Sequence, residues 1–150
     1  MKEKYINAYL DIAHRVAELS HARRLKVGAV IVKDDVITYG YNGMPSGWDN
    51  NCEDETVELY SGYEGAIHRT VLKTKPEVLH AESNAVSKIA RSTVSACDAD
   101  MFITHSPCID CAKLIFQAGV RRVFYSEDYR SRAGVEFLEK SGVTVEKITR

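Results

Sequence analysis

The sequence predicts an α/β domain built on a mixed five-stranded sheet with helices on both faces. Two observations carry this. Short β-branched runs alternate with segments of helical period. The first two of those runs are separated only by a tight polar turn, so the chain opens its sheet with a hairpin before the strand–helix alternation begins. A length of 150 residues fits one domain with one substantial core.

The elements follow in order. Residues 2–19 read as an amphipathic helix, with Tyr5, Ala8, Tyr9, Ile12, Val16 and Leu19 on one side and Lys2, Lys4, Asp11, Arg15 and Glu18 on the other. Residues 27–32 and 36–41 are strands, joined by a turn at Lys33, Asp34 and Asp35. Asn42, Gly43, Pro45 and Gly47 bring strong turn chemistry directly after the second strand. Residues 48–78 show no clear period. A structureless stretch of that length is unusual in a compact domain, and a helix around 57–73 is expected despite Gly62 and Gly65. The segment reads as a flap or effector insert within a single domain spanning 1–150. Beyond it come a helix over 82–91, a strand over 101–105, a helix over 109–118 stopped by Gly119 at the C′ position, a strand over 120–126, a helix over 134–140 and a last strand over 143–145.

Composition excludes several classes of function. Twenty basic and 21 acidic residues leave a net charge of −1, which is no footprint for gripping a polynucleotide. A small anionic substrate needs only a few local cations and remains open. No apolar run approaches the ~20 residues of a membrane span, and Met1-Lys2-Glu3-Lys4-Tyr5 lacks the apolar core of a secretion signal. A cytoplasmic protein is expected. Its four cysteines then point to metal binding or catalysis before disulfides.

The chemistry concentrates at two helix starts, His80-Ala81-Glu82 and Pro107-Cys108-Ile109-Asp110-Cys111. Catalytic zinc takes three protein ligands and keeps a fourth position open. His80, Cys108 and Cys111 supply such a set. The cysteines are three apart, one turn of helix on a shared face. Pro107 suits the first helical position, with Ser106 as the N-cap. The helix N-terminus then lowers the thiol pKa values, and two thiolates with one neutral imidazole balance Zn²⁺. Glu82 lies close to the ligands without having to be one, and can move protons between water and substrate. A lone Cys-x-x-C would also suit a thioredoxin-type redox pair. A structural zinc site would recruit a fourth ligand, for which Cys52 or Cys97 is available. The joint pattern, His-x-Glu and then Pro-Cys-x-x-Cys opening the helix after the next strand, is the known signature of zinc nucleobase deaminases.

At these residues the chain resembles the cytidine deaminase superfamily, and within it most the deoxycytidylate (dCMP) deaminases. The likeness extends to residues 27–32, to Gly40-Tyr41-Asn42-Gly43-Met44-Pro45-Ser46-Gly47, to 80–85 and to 106–115. The resemblance implies a three-layer α-β-α, cytidine-deaminase-like fold. It implies hydrolytic deamination of dCMP to dUMP with release of ammonia, which supplies thymidylate synthesis. Zinc is held by His80, Cys108 and Cys111, and Glu82 carries protons to N3 of the base and to the departing amine. It places the sugar on Asn42 and the base edge on the backbone around Ala81 and Ser106. It implies a homo-oligomer, a hexamer being favoured, with activation by dCTP and inhibition by dTTP, Mg²⁺ accompanying the triphosphate. Tyr41, Asn42 and Gly43 are the effector candidates.

For the substrate phosphate, Arg24 and Lys26 are candidates, with Arg23 a third and Tyr129 a cover for the base or a phosphate contact. Each is equally well a solvated cation or a packing ring. Arg91 is expected at a subunit contact. Cys52, His68 and His21 are candidates for a second, structural zinc, against one buried cysteine with two surface histidines. Glu53, Asp54 and Glu55 are candidates for effector magnesium, against the favoured reading of an acidic solvated loop. Competing functions are deamination of another nucleoside, base or tRNA, and a non-catalytic zinc-stabilised binding module. Glu82 argues against the last, because a structural site needs no carboxylate there.

Overall fold

The computed structural model describes residues 1–149. Eleven elements occur among them: α1 (Glu3–Ala17), β1 (Gly28–Lys33), β2 (Val36–Tyr41), β3 (Glu53–Gly62), β4 (Gly65–Thr74), α2 (Ala81–Ala90), β5 (Asp100–His105), α3 (Ile109–Gln117), β6 (Arg122–Glu127), α4 (Ala133–Lys140) and β7 (Thr144–Lys147). Five strands form the main sheet in the order β2-β1-β5-β6-β7. β1 is antiparallel to both β2 and β5, whereas β5, β6 and β7 run parallel, linked by α3 and α4. Asp34 and Asp35 close the β1–β2 hairpin with φ values of 48° and 63°, the left-handed pair that a type I′ turn requires.

The strand alternation sorts side chains into two cores. Val30, Val32, Phe102 and Phe124 face α1 and meet its Ile6, Leu10 and Ala13. Ala29, Ile31, Met101, Ile103, Val123 and Tyr125 face the other way, against Ala85 of α2, Ile115 of α3 and Leu138 of α4. Strands buried on both sides read as continuous apolar runs, which is why β1 was legible as a strand before any partner was known. The predicted mixed five-stranded sheet with helices on both faces is the observed one.

The expected helix around 57–73 does not form. That stretch belongs to a separate two-stranded antiparallel sheet, β3–β4, in register from Glu53↔Thr74 to Gly62↔Gly65. The glycines that weakened the helical reading close this hairpin around Tyr63 and Glu64. Gly65 has φ 110°, a conformation only glycine adopts without strain. Thr56, Val57, Thr70 and Val71 are β-branched and suit a strand. No helix among the described residues is long and apolar enough to cross a membrane.

Candidate active site

The end of β2 fixes the start of α2. Gly43 and Leu79 exchange backbone hydrogen bonds of 3.0 and 2.8 Å, which anchors the residue just before His80. Asn84 Nδ2 donates to the Tyr41 carbonyl at 2.8 Å. The helix can lie this close because residue 40 is glycine: a Cβ there would sit 2.3 Å from the Ala81 carbonyl oxygen and 2.6 Å from the Ala85 nitrogen. His80 is the N-cap of α2, in extended conformation, and Glu82 occupies the first turn.

The second helix start differs from the expectation in one respect. α3 begins at Ile109, so Cys108 is its N-cap, while Ser106 and Pro107 precede the helix. Ser106 does not cap it. Its N–H donates to the Glu127 carbonyl at 2.9 Å, and its Oγ accepts from the Tyr129 N–H at 2.8 Å, so it ties the end of β5 to the loop after β6. Cys108 and Cys111 therefore stand as N-cap and N3, positions whose side chains approach each other across the first turn, as in a capping box. Behind them, a Cβ on Gly134 would lie 2.1 Å from the Pro107 carbonyl oxygen. Gly134→Ala is expected to push α4 off the ligand loop, cost about 1–3 kcal/mol and lower Tm by several degrees. Thermal unfolding with a parallel zinc assay checks this, and an unchanged Tm would contradict the contact.

His80 Nδ1 lies 3.6 Å from Cys108 Sγ and 3.4 Å from Cys111 Sγ. The three donor atoms are within 4.8 Å of one another, the only such His/Cys/Asp/Glu group among the described residues. A tetrahedral zinc with bonds of about 2.0–2.1 Å to nitrogen and about 2.3 Å to sulfur has N···S edges of about 3.6 Å. The geometry thus fits zinc, and thiolate with imidazole is the donor chemistry zinc favours. Cys111 is buried, Cys108 half-buried and His80 exposed, so the set opens to one side.

Electrostatics supports the same reading. The Cys108 thiol is pushed down to about 3, first by its hydrogen bond with Cys111 and then by His80, against the cost of burial. Cys111 moves up, because its sulfur shares a proton with the Cys108 thiolate and is buried. The His80 imidazole is raised, chiefly by its contact with Cys108. Glu82 is 5% exposed. Burial pushes its carboxyl up to about 7, opposed by its own backbone N–H and by His80. Such a group is poised for proton transfer near neutral pH.

A cleft of about 440 Å³ opens over these residues, a size that suits a small ligand. His80, Ala81, Glu82, Ser106 and Cys108 line it together with Asn42, Arg24 and Tyr129. The buried Asn42 accepts from the Val27 N–H and donates to the Leu25 carbonyl, both at 2.8 Å. Its amide retains one donor and one acceptor site for a ligand.

Other expected residues lie elsewhere. Lys26 is exposed and outside the cleft lining, because Asn42 holds the backbone of its two neighbours. Tyr41 and Gly43 are also outside the lining, and their backbone groups are used on Asn84 and Leu79. Arg23 is engaged with Glu53 and Glu55. The second zinc set does not assemble: Cys52 is buried with Ala22, Val78 and Met44, whereas His21 and His68 are exposed. Glu55 pairs with Arg23, Asp54 with Lys75, and Glu53 is buried, so these acids form no magnesium cluster. Arg91 is exposed at the C-cap of α2.

Sequence reasoning missed Thr74, Lys75, His105 and Arg130, which line the cleft. A positional signal existed for two of them. His105 ends β5 and Arg130 follows β6, at the carboxyl ends of parallel strands where α/β sheets place their ligands.

The family described as the cytidine and deoxycytidylate deaminase zinc-binding region matches residues 3–127. The chain is 38% identical over 142 residues to ComE operon protein 2 of Bacillus subtilis, covering 93% of this chain and 69% of that protein. It is 34% identical over 166 residues to the deoxycytidylate deaminase of Enterobacteria phage T4, covering 91% and 86%. The crystal structure of dCMP deaminase from the cyanophage S-TIM5, in complex with dCMP and dUMP, superposes with a TM-score of 0.84 at 41% identity over 99% of both chains. A match over most of the sequence, joined to a His-Cys-Cys donor set beside a buried carboxylate, leaves one conclusion: the chain belongs to the family of cytidine and deoxycytidylate deaminases, which are zinc-dependent hydrolases.

Proposed function

We propose that the protein deaminates dCMP to dUMP and ammonia, with His80, Cys108 and Cys111 holding zinc and Glu82 moving protons. The observation that carries this is the buried Glu82 carboxylate, two residues from His80 and lining the same cleft. When bound, zinc supplies a Lewis acid that makes water nucleophilic at neutral pH. Glu82 accepts the proton of the attacking water at its carboxylate as the oxygen bonds to C4 of cytosine. It delivers that proton to N3, then takes the second proton from the new C4 hydroxyl as C4=O forms and passes it to the exocyclic nitrogen. The C4–N bond breaks and ammonia leaves. Backbone groups at Ala81 and Ser106 receive the base edge, where a wrong base would leave buried polar groups unpaired. Asn42 holds the sugar. Arg24, Lys75 and Arg130 supply positive charge for the phosphate, with Tyr129 beside them under the Arg130 guanidinium at 5.4 Å.

The monophosphate reading is supported by those cleft cations and by the substrate named for the phage relatives. Zinc-loaded protein offered dCMP, deoxycytidine, CMP and dCTP should release ammonia fastest from dCMP. Exclusive activity on deoxycytidine would defeat the reading.

The finer features rest on the family resemblance. They are a hexameric assembly with Arg91 at a contact, activation by dCTP and inhibition by dTTP with Mg²⁺, and a flap or effector role for the insert 48–78. The four free cysteines are in keeping with a cytoplasmic setting. Velocity curves for dCMP with each triphosphate and Mg²⁺ test the regulation. Curves that do not move would end it.

A further inference from the structure

We propose that Glu53, in the insert, is a positioning residue for phosphate recognition: it holds the backbone of residues 23–24 so that Arg24 faces the cleft. This rests on the monophosphate reading above.

Glu53 opens β3 and is 1% exposed. A carboxylate buried so completely is costly unless its oxygens are used. Oε1 accepts two backbone N–H groups, from Arg23 at 2.9 Å and from Arg24 at 3.1 Å. Oε2 makes no hydrogen bond and is compensated only by the ion pair with Arg23, whose Nε lies 3.6 Å away. The two adjacent arginines are thereby given opposite tasks. Arg23 turns into the base of the insert, where Nη1 reaches Glu55 at 2.5 Å and Nη2 reaches Asn51 Oδ1 at 3.2 Å. Arg24 lines the cleft, its Nη1 donating to Thr74 Oγ1 at 3.2 Å.

Thr74 is the cross-strand partner of Glu53 at the foot of the β3–β4 hairpin. The next residue, Lys75, donates its N–H to the Cys52 carbonyl at 2.8 Å and also lines the cleft. The hairpin foot therefore contributes Thr74 and Lys75 to the cleft wall directly, and orients Arg24 through Glu53. Asn42 secures the other side of the same loop through Leu25 and Val27. With both ends held, the Arg24 guanidinium is presented in a fixed place, which is what a fork recognising phosphate needs. Without Glu53, two N–H groups lose their acceptor and Arg23 loses part of its counter-charge, so the backbone that sets the two arginines apart is no longer held from this side.

The test compares kcat and KM for dCMP and for deoxycytidine in zinc-loaded wild type, Glu53→Ala, Glu53→Asp, Arg24→Ala and the Glu53→Ala/Arg24→Ala double variant. Glu53→Ala is expected to cut the preference for dCMP over deoxycytidine by about tenfold, through KM for dCMP rather than kcat. Arg24→Ala should do the same, and the double variant should be no worse than Arg24→Ala, because the two residues act as one unit. Glu53→Asp keeps the charge but shortens the reach. It should move the preference the same way, and it carries the test if Glu53→Ala does not fold. Equal losses for both substrates, multiplicative losses in the double variant, or failure of both Glu53 variants to fold would each assign Glu53 to stability alone and overturn the proposal. A wild-type enzyme with no preference for dCMP overturns the substrate reading itself, and the positioning role with it.

Discussion

Glu82→Gln is expected to abolish turnover while zinc stays bound. The amide has nearly the shape of the carboxylate, so the cleft keeps its packing, but it cannot accept a proton from water or return one to the base. General acid–base groups contribute about 10²–10⁴-fold, and Glu82 serves more than one transfer, so the loss should lie at or beyond the upper end. Fold and metal should survive. Glu82 is not one of the three donors, and burial already disfavours its ionised form. Replacing it with a neutral group removes that desolvation cost and should leave Tm equal or higher. Steady-state ammonia release, zinc content and thermal unfolding measured on one preparation decide the matter. Full activity in the variant would remove Glu82 from the mechanism. Loss of zinc would instead make it a structural partner of the metal.

Cys111→Ser is expected to lose the metal, and with it activity and stability. Cys111 is the buried member of the set, 3.4 Å from His80 Nδ1 at the N3 position of α3. A serine hydroxyl there keeps the volume but offers no thiolate. Partners that merely orient metal ligands are worth about 10–100-fold in affinity, and removing a donor should exceed that. A ligand at about 100 times its Kd stabilises the native state by about 2.7 kcal/mol, or about 5–10 °C in Tm for a chain of this size. Chelation should therefore lower the wild-type Tm by that amount and leave the variant unmoved. His80→Ala should behave alike. Stoichiometric zinc in Cys111→Ser, measured by elemental analysis, would show that the donors are not those named.

The cluster of His80, Cys108 and Cys111, with Glu82 beside it, was readable in the linear chain because its spacing is set by local geometry. Two helix starts present their first residues in a fixed way, whatever surrounds them. Even so, the sequence points to Ser106 as the N-cap with Pro107 first in the helix, whereas the N-cap is Cys108. N-cap preference describes which residue types suffice at a helix start. Here Ser106 was more useful in joining β5 to the loop after β6.

The insert departs from its expected helix for a related reason. A helix over 57–73 and a hairpin share many of the same residues, and strand pairing draws on partners up to 21 positions away, as in Glu53↔Thr74. A local period cannot register that pairing. Lys26 illustrates the same limit at the level of one side chain. It had the right charge and the right neighbourhood, but Asn42 fixes the backbone on either side of it, and the cleft instead receives Arg24 from before it and Lys75 and Arg130 from far along the chain.

The sequence by itself thus determined the sheet, its helices, the convergence of His80, Cys108 and Cys111 into a group that could hold a metal, and the carboxylate of Glu82 beside it. These follow from alternation, helix-start geometry and donor chemistry, all properties of neighbouring residues. The tertiary structure alone decided that the insert is a hairpin, that Cys52 packs with Ala22 and Val78 apart from His21 and His68, and which cations line the cleft. Those depend on the directions of side chains from segments brought together only by folding.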